Sequence, residues 1–379
     1  MKILIIGNAN SFWIKEYTEY ILSDECNEIF IASKSVINKD FKDFYNKHNI
    51  NILQTDRGTF LFDHIPKLKT LVNMFRKVKK EAGNGMFDVI HIHSVPSNFM
   101  ITFLNKFIVR FGKKIVCTYW GSDLLSKTRE QLMKAIPCLD KAECISYSSD
   151  GMDSYFHEVF GDIYNEKIVR AKFGISIYDV IDEEKKHKTK DECKEFFNIE
   201  KDKISVAIGY NGSSRQQHLR VINELSKLNS DILDKLNIVI QLSYGLTCDE
   251  YRQNIIDEIS KINVKHVIIN NFLNKDESAM LRIATDIFIH AQESDAFSAS
   301  IQECVYAGSI LVNPSWIMYK EFDDIGIDYI KYNSFDELPM IIKDITDGKI
   351  KISNNGKVRE LYKKYSWNAV KEDWLKLYK

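Results

Sequence analysis

Two carboxylates dominate the chemistry open to this sequence. Asp295 and Glu303 stand with seven residues between them in the run His290-Ala291-Gln292-Glu293-Ser294-Asp295-Ala296-Phe297-Ser298-Ala299-Ser300-Ile301-Gln302-Glu303. The apolar run 287–289 reads as a strand, which puts Asp295 in the following loop and Glu303 in the first turns of a helix. Ser298 to Ser300 lie at the helix start, where backbone N–H groups have no intrahelical acceptor. Acids about two helical turns apart can accept hydrogen bonds from two sets of hydroxyls, those of a sugar and those of a nucleotide ribose. Ser300-x-x-Glu303 also fits a capping box, which would account for Glu303 alone and leave Asp295 and the Phe297-Ser298 step unexplained.

A second polar loop follows the apolar run 204–208: Gly209-Tyr210-Asn211-Gly212-Ser213-Ser214-Arg215-Gln216-Gln217-His218. Gly209, Asn211 and Arg215 ahead of a helix suit a diphosphate, with N–H donors and the helix dipole beside the cation. The plainer alternative is a capped loop with a solvated Arg215.

The first half offers smaller constellations. Gly7-Asn8 follows the first apolar run, and small residues there let backbone approach a phosphate or sugar. It is not a G-x-G-x-x-G fingerprint, so a nicotinamide oxidoreductase is disfavoured; a plain tight turn is the alternative. His91 and His93 share a strand face. His93 reads as a cleft-lining histidine able to hydrogen-bond a sugar or act on a proton, against a core histidine satisfied by backbone. Trp120 offers a flat apolar face and Asp123 a carboxylate to a sugar, unless Trp120 is core and Asp123 a helix cap.

These residues need strand ends to stand on. Short apolar runs at 3–6, 29–32, 89–92, 114–118 and 144–146 alternate with helical patterns such as 11–23. The grammar repeats at 204–208, 238–242, 267–269, 287–289 and 310–312, with helices such as 216–228 and 276–284 between. Strands separated by helices imply parallel sheets, and ligands then bind beyond the carboxyl ends of the strands. The expected architecture is α/β with two doubly wound, Rossmann-like domains facing across a cleft, at 1–180 and 181–360, and a terminal segment at 361–379. The charged run 182–188 reads either as a linker or as a solvated helix face.

Composition sets the outer limits. The chain has 379 residues, with 45% hydrophobic and 28% charged, ordinary for a globular protein of two or three domains. Lys plus Arg is 52 and Asp plus Glu 53, for a formal net charge of -1, which argues against a nucleic-acid partner. The 7 cysteines contain no C-x-x-C pair, so neither a disulfide framework nor a zinc site is expected and a reducing cytoplasm fits. No stretch approaches the ~18 apolar residues of a membrane span.

Taken together, these segments resemble the family-4 retaining glycosyltransferases of the GT-B fold. Asp295-x7-Glu303, with Phe297 two residues after the first acid and Ala307-Gly308 closing the helix, resembles that family's E-x7-E signature. Gly209 with Arg215 six residues on resembles its G-R-L-x-x-x-K phosphate loop, and Trp120-Gly121-Ser122-Asp123 its H-G-x-D step. Phe173-Gly174-Ile175-Ser176 resembles the turn between domains, and Tyr365-Ser366-Trp367 opens a segment like the terminal helix that crosses back to the N-terminal domain. The resemblance implies that Glu303 holds the donor ribose, Asp295 the transferred sugar, and the N–H groups near Phe297, Ser298 and Ala299 the sugar and phosphate, while Arg215 neutralises the diphosphate. Asp replaces the first Glu of the signature, Tyr210 stands at an Arg position and Trp120 at a His position.

The expected function is transfer of a sugar from a nucleotide-diphosphate sugar to a glycan or lipid-linked glycan in bacterial surface polysaccharide synthesis. Retention follows the resemblance. No metal or other cofactor is expected, since no D-x-D motif stands at a strand end. The alternatives are a nucleotide-sugar epimerase of similar fold and a non-catalytic nucleotide-sugar-binding partner subunit. The basic amphipathic stretch 67–80, and 98–114 with Phe99, Phe103, Phe107 and Phe111, are read as a peripheral contact with an anionic membrane surface or as ordinary solvated helices.

Overall fold

The computed structural model describes residues 1–23, 26–35, 37–53 and 66–379, the last without the side chains of 66–69. The chain forms two compact units, Met1–Gly174 with Trp367–Lys379, and Ile175–Ser366. The sequence-read limits at 180 and 360 fall inside the helices Ile177–His187 and Val358–Tyr365. The run 182–188 is the solvated face of the first of these, where Lys186 and His187 pair with Glu183 at 2.7 and 2.9 Å.

The first unit holds a parallel sheet in the order β3-β2-β1-β4-β5-β6-β7. Its strands are β1 (Lys2–Ile6), β2 (Glu28–Ala32), β3 (Asn51–Ile52), β4 (Phe87–His93), β5 (Gly112–Thr118), β6 (Cys144–Tyr147) and β7 (Ile168–Arg170). The second holds β10-β9-β8-β11-β12-β13, also parallel. These are β8 (Ile204–Ile208), β9 (Leu236–Gln241), β10 (Lys265–Ile269), β11 (Ile287–Ile289), β12 (Ile310–Pro314) and β13 (Ile330–Tyr332). Central strands such as β1 and β8 are covered on both faces and read as near-continuous apolar runs, with Ser205 the one polar residue of β8. The strands that the sequence concealed, β3, β7 and β13, are sheet edges of two or three residues, too short to carry a pattern.

The terminal helix Trp367–Lys376 is part of the first unit. The Trp367 indole donates to Glu16 at 2.8 Å, the Trp374 indole to the Lys172 carbonyl at 2.7 Å, and the Tyr378 hydroxyl lies 2.6 Å from that of Tyr17. Gly174 is required here, because a Cβ would stand 2.4 Å from the Trp367 backbone.

Residues 98–114 do not form one amphipathic helix. A helical turn at Phe99–Phe103 widens into a π-turn at Leu104–Ile108, tightens at Val109–Phe111, and β5 begins at Gly112. Phe103 packs on Phe107, and Phe75 of the helix Pro66–Gly83 packs on Phe107 and Phe111, all partly buried. Phe99 alone among these rings is largely exposed, at 58%. The side chains of Lys67, Leu68 and Lys69 lie outside the described residues. Among the described residues no helix is long and apolar enough to cross a membrane.

Candidate active site

The second unit gathers most of the sequence-read residues at the carboxyl ends of β8 and β11. Gly209 leaves β8 with φ 64°, and a Cβ there would meet Gln216 Oε1 at 2.8 Å, so only glycine fits the turn. Asn211 Oδ1 accepts the Ser213 N–H at 2.9 Å and Gln216 Nε2 at 3.4 Å. The Gly212 N–H donates to Tyr244 O and the Ser214 N–H to Thr247 Oγ1, both at 2.8 Å. The loop is thereby stitched to the one after β9. Asn211 builds the loop through its side chain. Arg215 reaches across to the acidic loop, its guanidinium donating to Ser294 Oγ at 3.0 Å.

Asp295 is held from two sides. Its Oδ2 accepts the Ser298 N–H at 2.7 Å and the Tyr319 hydroxyl at 3.0 Å. The Ser298 N–H is therefore spent on Asp295, and the N–H groups of Ala299 and Ser300 remain as those of the first turn of the helix Ala299–Ala307. Tyr210 lies near Asp295, and its hydroxyl, 2.7 Å from Gln292 Nε2, is pushed up by burial and by that carboxylate. Phe297 sits in the left-handed region at φ 63°, a strained state for a bulky residue. Its buried ring packs on Tyr319, Phe322 and Tyr365, and its carbonyl accepts Gln302 Nε2 at 2.9 Å. The side chain of Phe297 thus anchors the start of the helix in the core.

The Ser300–Glu303 capping box does not form. Ser298 is the N-cap, without a side-chain bond, and both Ser300 and Glu303 turn to Arg282. Arg282 Nε lies 3.1 Å from Glu303 Oε2, and its terminal nitrogen donates to Ser300 Oγ at 3.2 Å. Arg282 is 6% exposed. Burial opposes its charge, but Cys304, Glu303 and Tyr244 outweigh that, and the guanidinium stays charged. Sequence reading missed Arg282; its one signal was a cation at an otherwise apolar stretch, Ala279-Met280-Leu281-Arg282-Ile283-Ala284.

The first unit collects the remaining candidates. A Cβ at Gly7 would meet Ile14 Cδ1 at 3.1 Å and His93 Cβ at 3.6 Å, so the turn lies against His93. Asn8 closes a local turn, its Oδ1 accepting the Asn10 N–H and its carbonyl the Ser11 N–H. The Trp120 indole donates to His93 Nδ1 at 3.3 Å. An indole only donates, so His93 carries its proton on Nε2. That N–H is buried without a hydrogen-bond partner among the described residues. Burial lowers the His93 pKa to about 3, so at neutral pH the ring is an uncharged donor. Asp123 Oδ1 accepts the N–H groups of Trp120 and Gly121 at 2.8 and 2.9 Å, and Oδ2 is buried with no hydrogen-bond partner among the described residues. Burial raises this carboxyl to about 6 against those two bonds. His91 is a core residue, bonded to Thr118 at 2.7 Å and Tyr378 at 2.8 Å. Among the described residues no group of three or more His, Cys, Asp or Glu is placed to hold a metal ion.

This architecture recurs in solved structures. HepE of Anabaena, in complex with UDP and glucose, superposes with a TM-score of 0.73 at 14% identity, over 99% of this chain and 98% of HepE. Sucrose-phosphate synthase of Thermosynechococcus elongatus gives a TM-score of 0.73 at 11% identity, over 100% and 98%. A glycosyltransferase from Rickettsia africae gives 0.72 at 15% identity, over 100% and 97%. By sequence, no family model and no curated protein matches the chain. The fold is GT-B, two Rossmann-like parallel-sheet units in one chain.

Two outcomes follow from the buried charges. The folded His93 pKa of about 3 lies below the ordinary 6.5, so in that window the unfolded chain binds the extra proton. The stability contributed is complete at neutral pH and is lost as pH falls from 6.5 toward 3. Denaturant melts between pH 7 and pH 4 should show a shallower acid loss for His93→Gln than for wild type, by about 1.4 kcal/mol per pH unit. Removing one partner of the buried Arg282–Glu303 pair, in Arg282→Met, strands Glu303 and should cost about 3–5 kcal/mol. Arg282→Met/Glu303→Leu together should recover most of that in a double-mutant cycle; additive losses would show the two are uncoupled.

Proposed function

We propose that this protein is a glycosyltransferase that moves a sugar from a nucleotide-diphosphate sugar to a glycan or lipid-linked glycan acceptor, in bacterial surface polysaccharide synthesis. One observation carries it. Arg215 bonds to Ser294 beside Asp295, while Glu303, on the helix that follows, is paired with Arg282 of the helix Lys275–Ala284, and the acidic loop leaves a strand end of the kind where α/β sheets bind ligands. The UDP and glucose in HepE are ligands of the chemistry this arrangement suits.

In this proposal Glu303, oriented by Arg282, accepts hydrogen bonds from the donor ribose. Asp295, with Oδ2 fixed by Ser298 and Tyr319, offers its other oxygen to the transferred sugar. Negative charge grows on the leaving diphosphate as the anomeric bond breaks. Arg215 and the first-turn N–H groups at Ala299 and Ser300 stabilise it, as preorganised dipoles do in a water-poor site. Gly209 lets the backbone approach the phosphates, and Asn211 holds that loop in shape. In the first unit His93 acts as a neutral Nε2–H donor to a sugar hydroxyl. Trp120 and Asp123 bind acceptor sugar, and Gly7 and Asn8 give backbone access. The reaction uses no metal or other cofactor, and retention of anomeric configuration is carried by the family resemblance.

Arg215→Ala and Glu303→Ala should each lower turnover of the preferred UDP-, GDP- or dTDP-sugar by about a hundredfold or more; circular dichroism should be unchanged in Arg215→Ala, and Glu303→Ala, which strands Arg282, should keep the folded spectrum with a lower melting point. EDTA should leave the wild-type rate intact; loss with EDTA and rescue by manganese would show a metal-dependent reaction. NMR of the product anomer decides retention. Donor conversion without acceptor would mark an epimerase, and tight donor binding without transfer or hydrolysis a partner subunit.

The acceptor's lipid-linked form implies a cytoplasmic protein working at the inner face of the membrane. Arg76, Lys79, Lys80, Lys106 and Arg110 are exposed cations, and Lys106 and Arg110 lie over the rings of Phe75, Phe107 and Phe111. Arg110 lies 5.6 Å from the Phe75 centroid, and Lys106 lies 5.5 Å from that of Phe107. Sedimentation with liposomes should rise with the anionic lipid fraction and fall for Lys79→Glu/Lys80→Glu; equal binding to neutral vesicles would exclude an electrostatic membrane contact.

A further inference from the structure

A second opening in Ile175–Ser366 serves none of the roles above. It is a cavity of about 400 Å³ walled by Arg220, Glu293, Trp316, Asn333 and Phe335, with Glu224 and Asp336 at its edges. Trp316 is 44% exposed, yet its ring is fixed. The indole N–H donates to the Gln292 carbonyl at 3.1 Å, and the ring meets Tyr332 edge-on at 5.5 Å and Phe335 at 6.1 Å. Arg220 lies flat against Phe335, 4.1 Å from its centroid. A large aromatic held rigid while still open to solvent is a preformed stacking face, since no further ordering is needed when a ligand arrives.

The polar groups around that face choose the ligand. Glu293 is exposed and has no hydrogen-bond or ion-pair partner among the described residues. Asn333 adds an amide, and Arg220 adds donors. Lys227 pairs with Glu224 at 2.6 Å, which leaves Glu293 and Asp336 against the Arg220 guanidinium, so the lining keeps a net negative charge that disfavours phosphates and nucleotides. An aromatic plate with carboxylate acceptors and few cations suits the apolar face and hydroxyl rim of an uncharged sugar ring. We infer that this cavity is a saccharide-binding subsite for a neutral sugar unit, apart from the donor phosphates. It stands whether or not the proposed transfer reaction does, because it depends on the cavity alone.

Ligand-observed NMR with the full chain tests this against glucose, galactose, N-acetylglucosamine and their disaccharides, with inorganic phosphate and UDP as anionic competitors. At least one neutral saccharide should bind saturably. Trp316→Ala and Glu293→Gln should each weaken it by about tenfold, Trp316→Phe should retain most of it, and Glu303→Ala should leave it unchanged. Binding by monosaccharides would identify a free sugar as the occupant, and binding only from disaccharides upward a segment of a glycan. Glu293→Gln alters an exposed side chain and keeps the test valid should Trp316→Ala fail to fold. No binding by any neutral saccharide, equal affinity in Glu293→Gln, or displacement by phosphate would overturn the assignment. Loss of binding in Glu303→Ala would place the sugar in the donor site instead, also overturning it.

Discussion

Parallel pairing of every strand is the constraint from which the chemistry of both units follows. When all strands run the same way, their carboxyl ends share one edge and the loops leaving them converge there. The sheet interior is mostly apolar and the few polar residues inside it, such as His91 and Ser205, are hydrogen-bonded, so most polar groups collect at that edge. In the second unit, the turn at Gly209, the loop carrying Arg215 and the acidic loop with Asp295 leave neighbouring strands, β8 and β11. In the first, His93 ends β4 and Trp120 follows β5, paired beside it.

Crowding polar groups at a half-buried edge has a cost that is met by pairing. Arg282 is a charge almost out of water, tenable because Glu303 and Ser300 satisfy it. Asp295 is pinned by a backbone N–H and a tyrosine hydroxyl, which fixes its direction rather than leaving it to swing. The left-handed Phe297 is the strained step between them, held by three aromatic neighbours. Two further side chains fit the same logic: Tyr210 sits near Asp295 as a neutral group, and the Trp120 indole sets the tautomer of His93.

Much of this was legible in advance, for physical reasons. Buried parallel strands must be mostly apolar, so β1, β4, β8 and β11 announce themselves in any sequence of this kind, even with Ser205 in β8 and two histidines in β4. Gly209 was legible because a left-handed turn against Gln216 excludes a side chain. Edge strands β3, β7 and β13 were not, because pairing on one side imposes little pattern on two or three residues. The region 98–114 misled because its phenylalanines recur at helical spacing. That spacing is satisfied by packing on Phe75, and the helix breaks at a π-turn before β5.

The sequence alone determined the sheet grammar, the acids, the cation at Arg215 and the small residues after the strands, since each answers a local demand of backbone or burial. Tertiary structure decided what each side chain does. Glu303 could cap a helix or meet an ion partner, and only the approach of a helix some twenty residues earlier in the chain, bringing Arg282, settled it. Likewise His93 could have been an acid, a base or a ligand until burial and one indole N–H made it a neutral donor. A titration state and a hydrogen-bond partner are properties of surroundings, and the surroundings come from residues distant in the chain.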